Sequence, residues 1–263
     1  MNDWIKKLFV EHSDLFLRLL DERWSRTEES VNGMIKLLKG FGIASGNLLD
    51  LCCGNGRISV HMAKKGFKVV GVDISKAFLE DAKKKAKEHR VSDSATFLEG
   101  DVRKLKKVVG DIQEPFDAVV NAWTSVGYYS QEDDFRIFKQ ARELSREGAI
   151  LFVVETMHSE FLSVKFTPTG YTELSDIVML ENRKYDPTTS QMSTSWAFYE
   201  KHAQDLRFID RIDFNHHVYS PYELASLLRN AGWETAAFYG SLSTLQPLSP
   251  LTSLNIVAKA NAR

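Results

Sequence analysis

A short apolar segment that ends in an acid and runs into a glycine loop constrains this chain more than any other stretch. The segment Asn47 to Leu51 contains Asp50, Gly54 and Gly56 follow it, and a helix is predicted from Arg57. Glycine lets the backbone turn sharply and approach a ligand closely, because no Cβ intervenes. The start of the helix offers unpaired N–H groups that favour an anionic group. The pattern predicts a strand–loop–helix unit that binds a small ligand.

Asp50 restricts the chemistry of that ligand. A carboxylate at this position would repel a pyrophosphate, but it suits a ligand that carries an amine. S-adenosylmethionine has both an amine and a carboxylate on its methionine end. A dinucleotide-binding loop would also need a third glycine where this chain has Ser59. We therefore favour a methyl donor over a nicotinamide dinucleotide as the ligand.

Three further strand ends carry polar residues in the same way. Asp73 closes the second apolar run, about 20 residues past the first glycine, where a carboxylate reaches ribose hydroxyls in a βαβ unit. Asp101 lies at the end of a third run, and Asn121 follows a fourth. The carboxyl ends of parallel strands meet at one edge of a sheet, so the four ends predict a ligand crevice there.

Helical and strand patterns alternate up to a fifth strand at 149–155, which is typical of a doubly wound α/β fold. The alternation stops between 157 and 219, where strand-like stretches predict an antiparallel β-sheet inserted after the fifth strand. A capped helix then begins at Ser220-Pro221, and two final strands close the sheet. The predicted fold is a doubly wound, mostly parallel, seven-stranded sheet whose last strand is antiparallel.

The predicted helices and strands divide the chain into three regions. The predicted helices include an amphipathic helix at Met1–Leu20 and others at Ser30–Lys39, Arg57–Lys64, Lys76–His89 and Phe135–Ser145. The predicted strands of the inserted sheet are Ile177–Lys184, Gln191–Lys201 and Gln204–Tyr219. We expect N-terminal helices and a ligand-binding core at 1–156, the inserted sheet at 157–219 and the rest of the core at 220–263.

Composition limits the partners and the compartment. The chain has 263 residues and a formal net charge of −1, so no overall field draws it to nucleic acid or to anionic membranes. No apolar run approaches the roughly 20 residues needed to span a bilayer. The charged N-terminus does not resemble a signal peptide. Cys52 and Cys53 are adjacent and lack the spacing of a zinc site, and we interpret them as small packing residues rather than nucleophiles. We expect a cytoplasmic protein with no metal.

The segment from Asn47 to Thr156 resembles the class I, Rossmann-like S-adenosylmethionine-dependent methyltransferases. The resemblance implies that the first loop holds the methionine end of the cofactor, that Asp73 holds the ribose and that Asp101 approaches the adenine. It places Asn121 and its two successors beside the sulfonium. The implied cofactor-binding residues are Asp50, Cys52, Gly54, Asn55, Gly56, Arg57, Asp73, Ile74, Asp101, Val102, Asn121, Ala122 and Trp123.

The inserted sheet is similar to one found in methyltransferases that act on small amines, including amino sugars and glycine, where it roofs the active site. The stretch from Trp123 to Tyr129 also resembles the loop after the fourth strand of the amino-sugar N-methyltransferases. This resemblance implies a small-molecule acceptor, with Tyr128 and Tyr129 near it. Trp24 and Arg26 are further candidates for covering the methionine end or the acceptor, or they form a packed helix edge.

Methyl transfer is an in-line displacement, so an amine acceptor needs only a free lone pair, whereas a hydroxyl acceptor would want a general base. The candidates for a catalytic residue are Tyr128, His216, His217 and Tyr219. A strand places His216 and His217 on opposite faces, so at most one of them faces a pocket. Either histidine can instead be a packed or surface residue, and Tyr128 and Tyr129 can simply be cavity walls.

Two other functions stay open. The basic residues at 83–87 and 103–107, Arg103 among them, would suit an RNA substrate, although lysines on a helix face are usually only solvated. An RNA or protein methyltransferase is therefore the first alternative. The second alternative is a non-catalytic S-adenosylmethionine-binding or interaction protein that shares the fold.

Overall fold

The computed structural model describes residues 3–110, 114–123, 125–174 and 176–262. The helices are α1 (Asp3–Lys6), α2 (Ser13–Glu22), α3 (Trp24–Gly40), α4 (Arg57–Lys64), α5 (Lys76–Glu88), α6 (Leu105–Val109), α7 (Gln131–Glu143), α8 (Ser159–Val164) and α9 (Pro221–Asn230). The strands are β1 (Gly46–Leu51), β2 (Phe67–Asp73), β3 (Ala95–Glu99), β4 (Phe116–Ala122), β5 (Ser145–Thr156), β6 (Thr169–Glu173), β7 (Ile177–Asp186), β8 (Gln191–His202), β9 (Asp205–His217), β10 (Trp233–Ser241), β11 (Gln246–Pro247) and β12 (Leu254–Ala260).

The main sheet has the strand order β11-β10-β12-β5-β4-β1-β2-β3. Strands β1 to β5 run parallel, and β12 pairs antiparallel with both β5 and β10. The predicted doubly wound sheet with an antiparallel last strand is confirmed. The short edge strand β11 was not predicted, because two exposed residues carry no alternating pattern. The strand order reverses between β1 and β4, which is where ligands bind in such sheets.

Helices cover both faces of the main sheet. Alternate strand residues point to opposite faces, so Leu48 and Val120 pack with α3, α4 and α5, whereas Leu49 and Val119 pack with α6, α7 and α9. These four side chains are fully buried. Burial on both faces explains why the core strands appear in the sequence as continuous apolar runs.

The second sheet follows β5 and has the order β6-β7-β8-β9, with every pair antiparallel. Its residues Phe198 and Phe214 share an apolar core with Phe9 and Phe16 of the N-terminal segment. The predicted antiparallel insertion is confirmed, whereas β6 and α8 were missed. Strand β6 has no apolar alternation, and its pairing with β7 defines it. The three-part division of the chain at 156 and 219 remains our proposal.

Three predicted helices are wrong in extent, and one of them is α3, which begins at Trp24, six residues before the predicted start at Ser30. Met1 and Asn2 lie outside the described residues, and the rest of the expected N-terminal helix is broken into α1, a π-helical turn at Lys7–Glu11, and α2. The break lies at His12, which leaves helical geometry and donates its N–H to the carbonyl of Lys7. Helix α7 begins four residues earlier than predicted, because Ser130 caps it, and Ser145 belongs to β5.

None of the helices in the described parts of the chain combines the length and the apolar character needed to cross a membrane.

Gly33 provides a test of how α3 packs on the main sheet. A Cβ added at Gly33 would collide with the carbonyl group of Leu242, whereas a Cβ at Gly40 of the same helix would meet nothing within 4 Å. We expect Gly33→Ala to lower the free energy of unfolding by about 1–3 kcal/mol through overpacking. Gly40→Ala, the matched control, should raise it slightly through a less flexible unfolded chain. Urea denaturation measures both, and equal stability of the two variants would contradict the packing described here.

Candidate functional site

The carboxyl ends of β1 to β4 surround a cavity of about 800 Å³, counting the part open to solvent, which we call the first cavity. Strand ends and the loops after them supply Asp50, Cys52, Gly54, Asp73, Asp101 and Ala122. The opposite wall is mostly aromatic and aliphatic and consists of Ile5, Phe9, Phe16, Leu20, Phe78 and Tyr128. The N-terminal residues among them were expected to be helical, but sequence analysis did not place them over the site.

Asp50 is buried near the end of β1 and accepts a hydrogen bond of 2.6 Å from the hydroxyl of Ser59 on α4. Burial raises the pKa of Asp50 to about 7, against the opposing effects of the Ser59 hydrogen bond and the charge of Arg57. Ser59 therefore has a definite role at the position where a dinucleotide-binding loop would have its third glycine. It satisfies one carboxylate oxygen that would otherwise be buried without a partner.

The two loop glycines serve different purposes. Both have left-handed backbones, with φ of 55° at Gly54 and 74° at Gly56. Gly54 lines the first cavity. A Cβ at Gly56 would lie 2.9 Å from that of Ala82 and 3.1 Å from the ring of Phe97, so this glycine permits close packing of the loop against α5 and β3.

Asp73 ends β2 and lines the first cavity. One carboxylate oxygen accepts the N–H of Gly54 at 2.8 Å, and the other accepts the N–H of Ser75 at 2.9 Å. Burial raises the pKa of Asp73, and the hydrogen bonds from Ser75 and Gly54 act against this rise. Each oxygen can accept a second hydrogen bond, so the carboxylate can still bind ligand hydroxyls.

Asp101 is held by Arg103, which sequence analysis assigned only to a basic cluster. Arg103 donates to both carboxylate oxygens, with Nη2 2.6 Å from Oδ2, and its guanidinium lies 4.5 Å from the ring centre of Tyr129. Burial raises the pKa of Asp101, but the hydrogen bonds from Arg103 outweigh it and leave the pKa below its ordinary value. Asp101, Tyr129 and the apolar residues Ile74 and Val102 all line the first cavity. In the sequence, the signal for this ion pair was an arginine two residues after the acid.

Two asparagines expected at the cofactor make contacts within the protein and are not among the residues that line the cavity. The amide of Asn55 donates to Asp21 on α2 at 2.9 Å. The amide of Asn121 donates to the hydroxyl of Ser125 at 2.7 Å and to the carbonyl of Leu51 at 3.3 Å. Both side chains therefore fix the loops around the cavity.

Of the catalytic candidates, Tyr128 lies at the first cavity and the two histidines do not line it. The Tyr128 ring packs edge-on against Trp4 and His216, with centroid distances of 4.9 and 6.1 Å. Burial lowers the pKa of His216 to about 4. His216 is therefore a neutral packing residue behind Tyr128.

His217 and Tyr219 support the helices beside the sheet. The Nε2 atom of His217 lies 2.9 Å from a carboxylate oxygen of Glu223 on α9, and the hydroxyl of Tyr219 donates to Asp134 on α7 at 2.8 Å. Neither residue lines the first cavity. The polar ends of both side chains are already used, so we leave them out of the proposed site.

Trp24 also lies away from the first cavity. Its ring packs against His61 and His89 with centroid distances of 5.2 and 5.6 Å, and the amine of Lys85 lies 5.0 Å from it. This is the packed helix edge that the sequence left open. Arg26, two residues later on α3, lines a different cavity.

This second cavity lies between helices α2 and α3 and the inserted sheet and encloses about 1040 Å³, counting its opening. Trp123 and Arg57 line both cavities. Arg57 donates to Glu155 at 2.9 Å, and the guanidinium of Arg23 lies 4.1 Å from the ring centre of Trp123. Thr124, the neighbour of Trp123, lies outside the described residues.

The core of the chain matches one protein-family model. Residues 48–148 match the family model described as "Methyltransferase domain". The matched residues include most of β1, the whole of β2 to β4, the glycine loop, and the three acids Asp50, Asp73 and Asp101.

Curated relatives align with part of the chain. YqeM of Bacillus subtilis (strain 168), a suspected methyltransferase, is 38% identical over 125 residues, which are 47% of this chain and 47% of YqeM. The glycine N-methyltransferase of Oryctolagus cuniculus is 26% identical over 183 residues, which are 65% of this chain and 59% of that enzyme. The match spans about half the length of the first relatives, at 47% and 48%.

Solved structures resemble nearly the whole chain in fold. An S-adenosylmethionine-dependent methyltransferase from Clostridium acetobutylicum ATCC 824 superposes with a TM-score of 0.77 at 14% identity, over 95% of this chain and 99% of that one. The CcbJ methyltransferase of Streptomyces caelestis gives 0.74 at 22% identity, over 90% of each chain. The sugar N-methyltransferase KedS8 of Streptoalloteichus sp. ATCC 53650 gives 0.70 at 16% identity, over 95% and 93%. At these identities the likeness establishes the fold.

The raised pKa of Asp50 can be measured directly. We expect its carboxyl carbon to titrate near pH 7 in a ¹³C NMR experiment on the folded protein, against an ordinary value of 3.8. Ser59→Ala removes a hydrogen bond that favours the ionised form, so it should raise this pKa further. Ser163→Ala, whose hydroxyl donates to a backbone carbonyl on α8, is the control and should leave it unchanged.

The raised pKa of Asp50 also makes the stability of the protein depend on pH. Between about pH 4 and pH 7 the folded state holds a proton at Asp50 that the unfolded state has lost, so this group makes the protein less stable as pH rises through that window. A titration of Asp50 near pH 4 in the folded protein would contradict the burial described here.

Proposed function

We propose that this protein is an S-adenosylmethionine-dependent methyltransferase that acts on a small-molecule acceptor. The observation that carries the proposal is the convergence of Asp50, Asp73 and Asp101, from three successive strands, on one enclosed cavity beside a glycine loop. The matched family and the folds of the structural relatives support it. The alignments cover only part of the curated relatives, so activity and substrate rest on the chemistry of the site.

The chemistry of the first cavity fits this cofactor along its length. Asp73 has free acceptor capacity for two ribose hydroxyls. Ile74 and Val102 offer apolar surface for a purine ring, with Asp101 as an acceptor for its amino group. Asp50 provides the negative charge that suits an ammonium group, and a bound ammonium would lower its pKa. The N–H of Gly54 is already bonded to Asp73, so a ligand carboxylate would need other donors.

The cofactor would supply a methyl group that is activated on a sulfonium. The protein would contribute alignment and a dry environment, and orientation can lower such a barrier by about 7–11 kcal/mol in favourable cases. Phe9, Phe16 and Tyr128 are buried against this cavity and exclude water from it. Ala122 and Trp123, at the end of β4, stand where the resemblance puts the sulfonium.

The residues of the first cavity favour an amine over a hydroxyl acceptor. Burial raises the pKa of Tyr129, so its hydroxyl stays protonated at neutral pH and cannot act as a base. Asp101 is neutralised by Arg103. An amine that arrives with a free lone pair needs no base, which agrees with the glycine and sugar N-methyltransferases among the similar proteins.

An RNA substrate is the alternative that a specific observation supports. Two Methanocaldococcus jannaschii relatives, named as suspected ribosomal RNA large subunit methyltransferases, are 38% and 34% identical over 74 and 102 residues. The lysines of α5 weaken this alternative, because Lys85 is bound to Asp21 and Asp81, and Lys84 lies 4.0 Å from Glu88. These two lysines are therefore compensated by acids of the protein.

Asp73 tests the cofactor assignment. Asp73→Asn should weaken binding of S-adenosylhomocysteine by about 10- to 100-fold, because charge-assisted hydrogen bonds to the ribose are lost. The exposed Asp93, changed to Asn, is the control and should bind as wild type. Isothermal titration calorimetry measures the affinities, with NAD as a ligand that should not bind. Unchanged affinity in folded Asp73→Asn protein would remove Asp73 from the site.

The class of methyl acceptor can be determined by following a labelled methyl group. Protein incubated with methyl-labelled S-adenosylmethionine and a cell extract should transfer label to the acid-soluble, small-molecule fraction. Label in acid-precipitated RNA or protein would favour the alternative substrates. Cofactor binding with no transfer to any fraction would favour the non-catalytic alternative.

A further inference from the structure

The second cavity is placed where a methyl acceptor would have to bind. Trp123 and Arg57 line both cavities, so the two spaces share a wall at the end of β4 and the start of α4. An in-line displacement requires the acceptor to approach from a space next to the donor. Trp123 has a left-handed backbone, with φ of 69°, and such strained residues cluster at functional sites.

The helical wall of the second cavity carries more positive charge than the acids bound to it neutralise. Arg57 is bound to Glu155 at 2.9 Å and to the hydroxyl of Thr27 at 3.2 Å. Arg23 lies 3.9 Å from the same carboxylate, which is too far for a hydrogen bond. Within the described ranges, neither Arg23 nor Arg26 donates a hydrogen bond to a protein acceptor.

The acids on the opposite wall have their own cations. Glu181 pairs with Arg183, and Glu173 lies 2.6 Å from Lys201, within the inserted sheet. Glu22, on α2, is exposed. The charged donors that remain without a hydrogen bond in the described lining of the second cavity are therefore the guanidinium groups of Arg23 and Arg26. The indole N–H of Trp196, which also lines this cavity, has no hydrogen-bond partner either.

The same cavity has aromatic walls. Trp123 and Trp196 line it, and the Arg23 guanidinium lies 4.1 Å from the ring centre of Trp123. Stacking on the ring fixes the orientation of the planar guanidinium group. A guanidinium held in this way presents paired N–H donors to a carboxylate or phosphate. Aromatic surface beside such donors suits a ligand with a flat or apolar part.

We infer that the second cavity binds the acceptor and selects a small anion. Its carboxylate or phosphate would bind Arg23 and Arg26, and its flat or apolar part would contact Trp123 and Trp196. The identification of this anion as the acceptor rests on the proposed function. The existence of an anion site does not, because it follows from guanidinium groups that donate no hydrogen bond to the protein and from the aromatic wall beside them.

The test measures binding of three probes to the full-length protein, with and without saturating S-adenosylhomocysteine, by saturation-transfer NMR. The probes are 4-aminobenzoate, phenyl phosphate and benzylamine, which share a ring and differ in charge. We expect at least one of the two anions to bind and benzylamine not to bind. The anion that binds more tightly distinguishes a carboxylate from a phosphate ligand. Failure of both anions, or preferential binding of benzylamine, would overturn the inference.

Variants locate the binding. Arg26→Gln and Arg23→Gln should each lower the affinity for the anion by about tenfold, because each removes a partly solvated charged contact. Arg207→Gln, an exposed arginine on β9, is the matched control. Equal anion affinity in all three variants would overturn the assignment. Anion binding without any S-adenosylhomocysteine binding would reject the proposed function and leave the anion site, whereas the reverse result would reject only the anion site.

Discussion

The hydrogen bond from the N–H of Gly54 to the carboxylate of Asp73 is the contact on which the first cavity depends. At 2.8 Å it joins the loop after β1 to the end of β2, and the N–H of Ser75 holds the other carboxylate oxygen. Both strand ends are buried, so an unmade bond would leave polar groups that water could not reach. The loop is thereby fixed in its left-handed turn, and the space between the two strand ends stays open for a ligand.

A second set of contacts lies where the two cavities adjoin. The ion pair between Arg57 and Glu155 joins the start of α4 to β5, and Trp123 stands beside it. Cys52, Trp123 and Glu155 all have positive φ, and all lie at or near the carboxyl ends of core strands. Strain of this kind costs roughly 1–3 kcal/mol per residue and persists where the surroundings enforce it. Here the surroundings are the walls of the proposed donor and acceptor sites.

The sequence predicted the core accurately where the information is local. An apolar run that ends in Asp50, Asp73 or Asp101 specifies a strand and its ligand-facing tip, and all three acids meet in one cavity. Prediction was poorer where residues depend on distant partners. His217 and Tyr219 suggested an active site, but Glu223 and Asp134 use their polar ends. Nothing near a histidine or tyrosine in sequence reveals such a partner.

The sequence alone was sufficient for the order of the core elements, the parallel sheet and the row of acids at its edge, because each follows from short-range periodicity and glycine placement. Packing in three dimensions determined which acids are compensated, with Ser59 on Asp50 and Arg103 on Asp101, and it created the second cavity. Arg23 and Trp196 are far apart in the chain and line the same cavity. No local pattern encodes their meeting, since it arises only when the inserted sheet packs on the N-terminal helices and buries their shared apolar core.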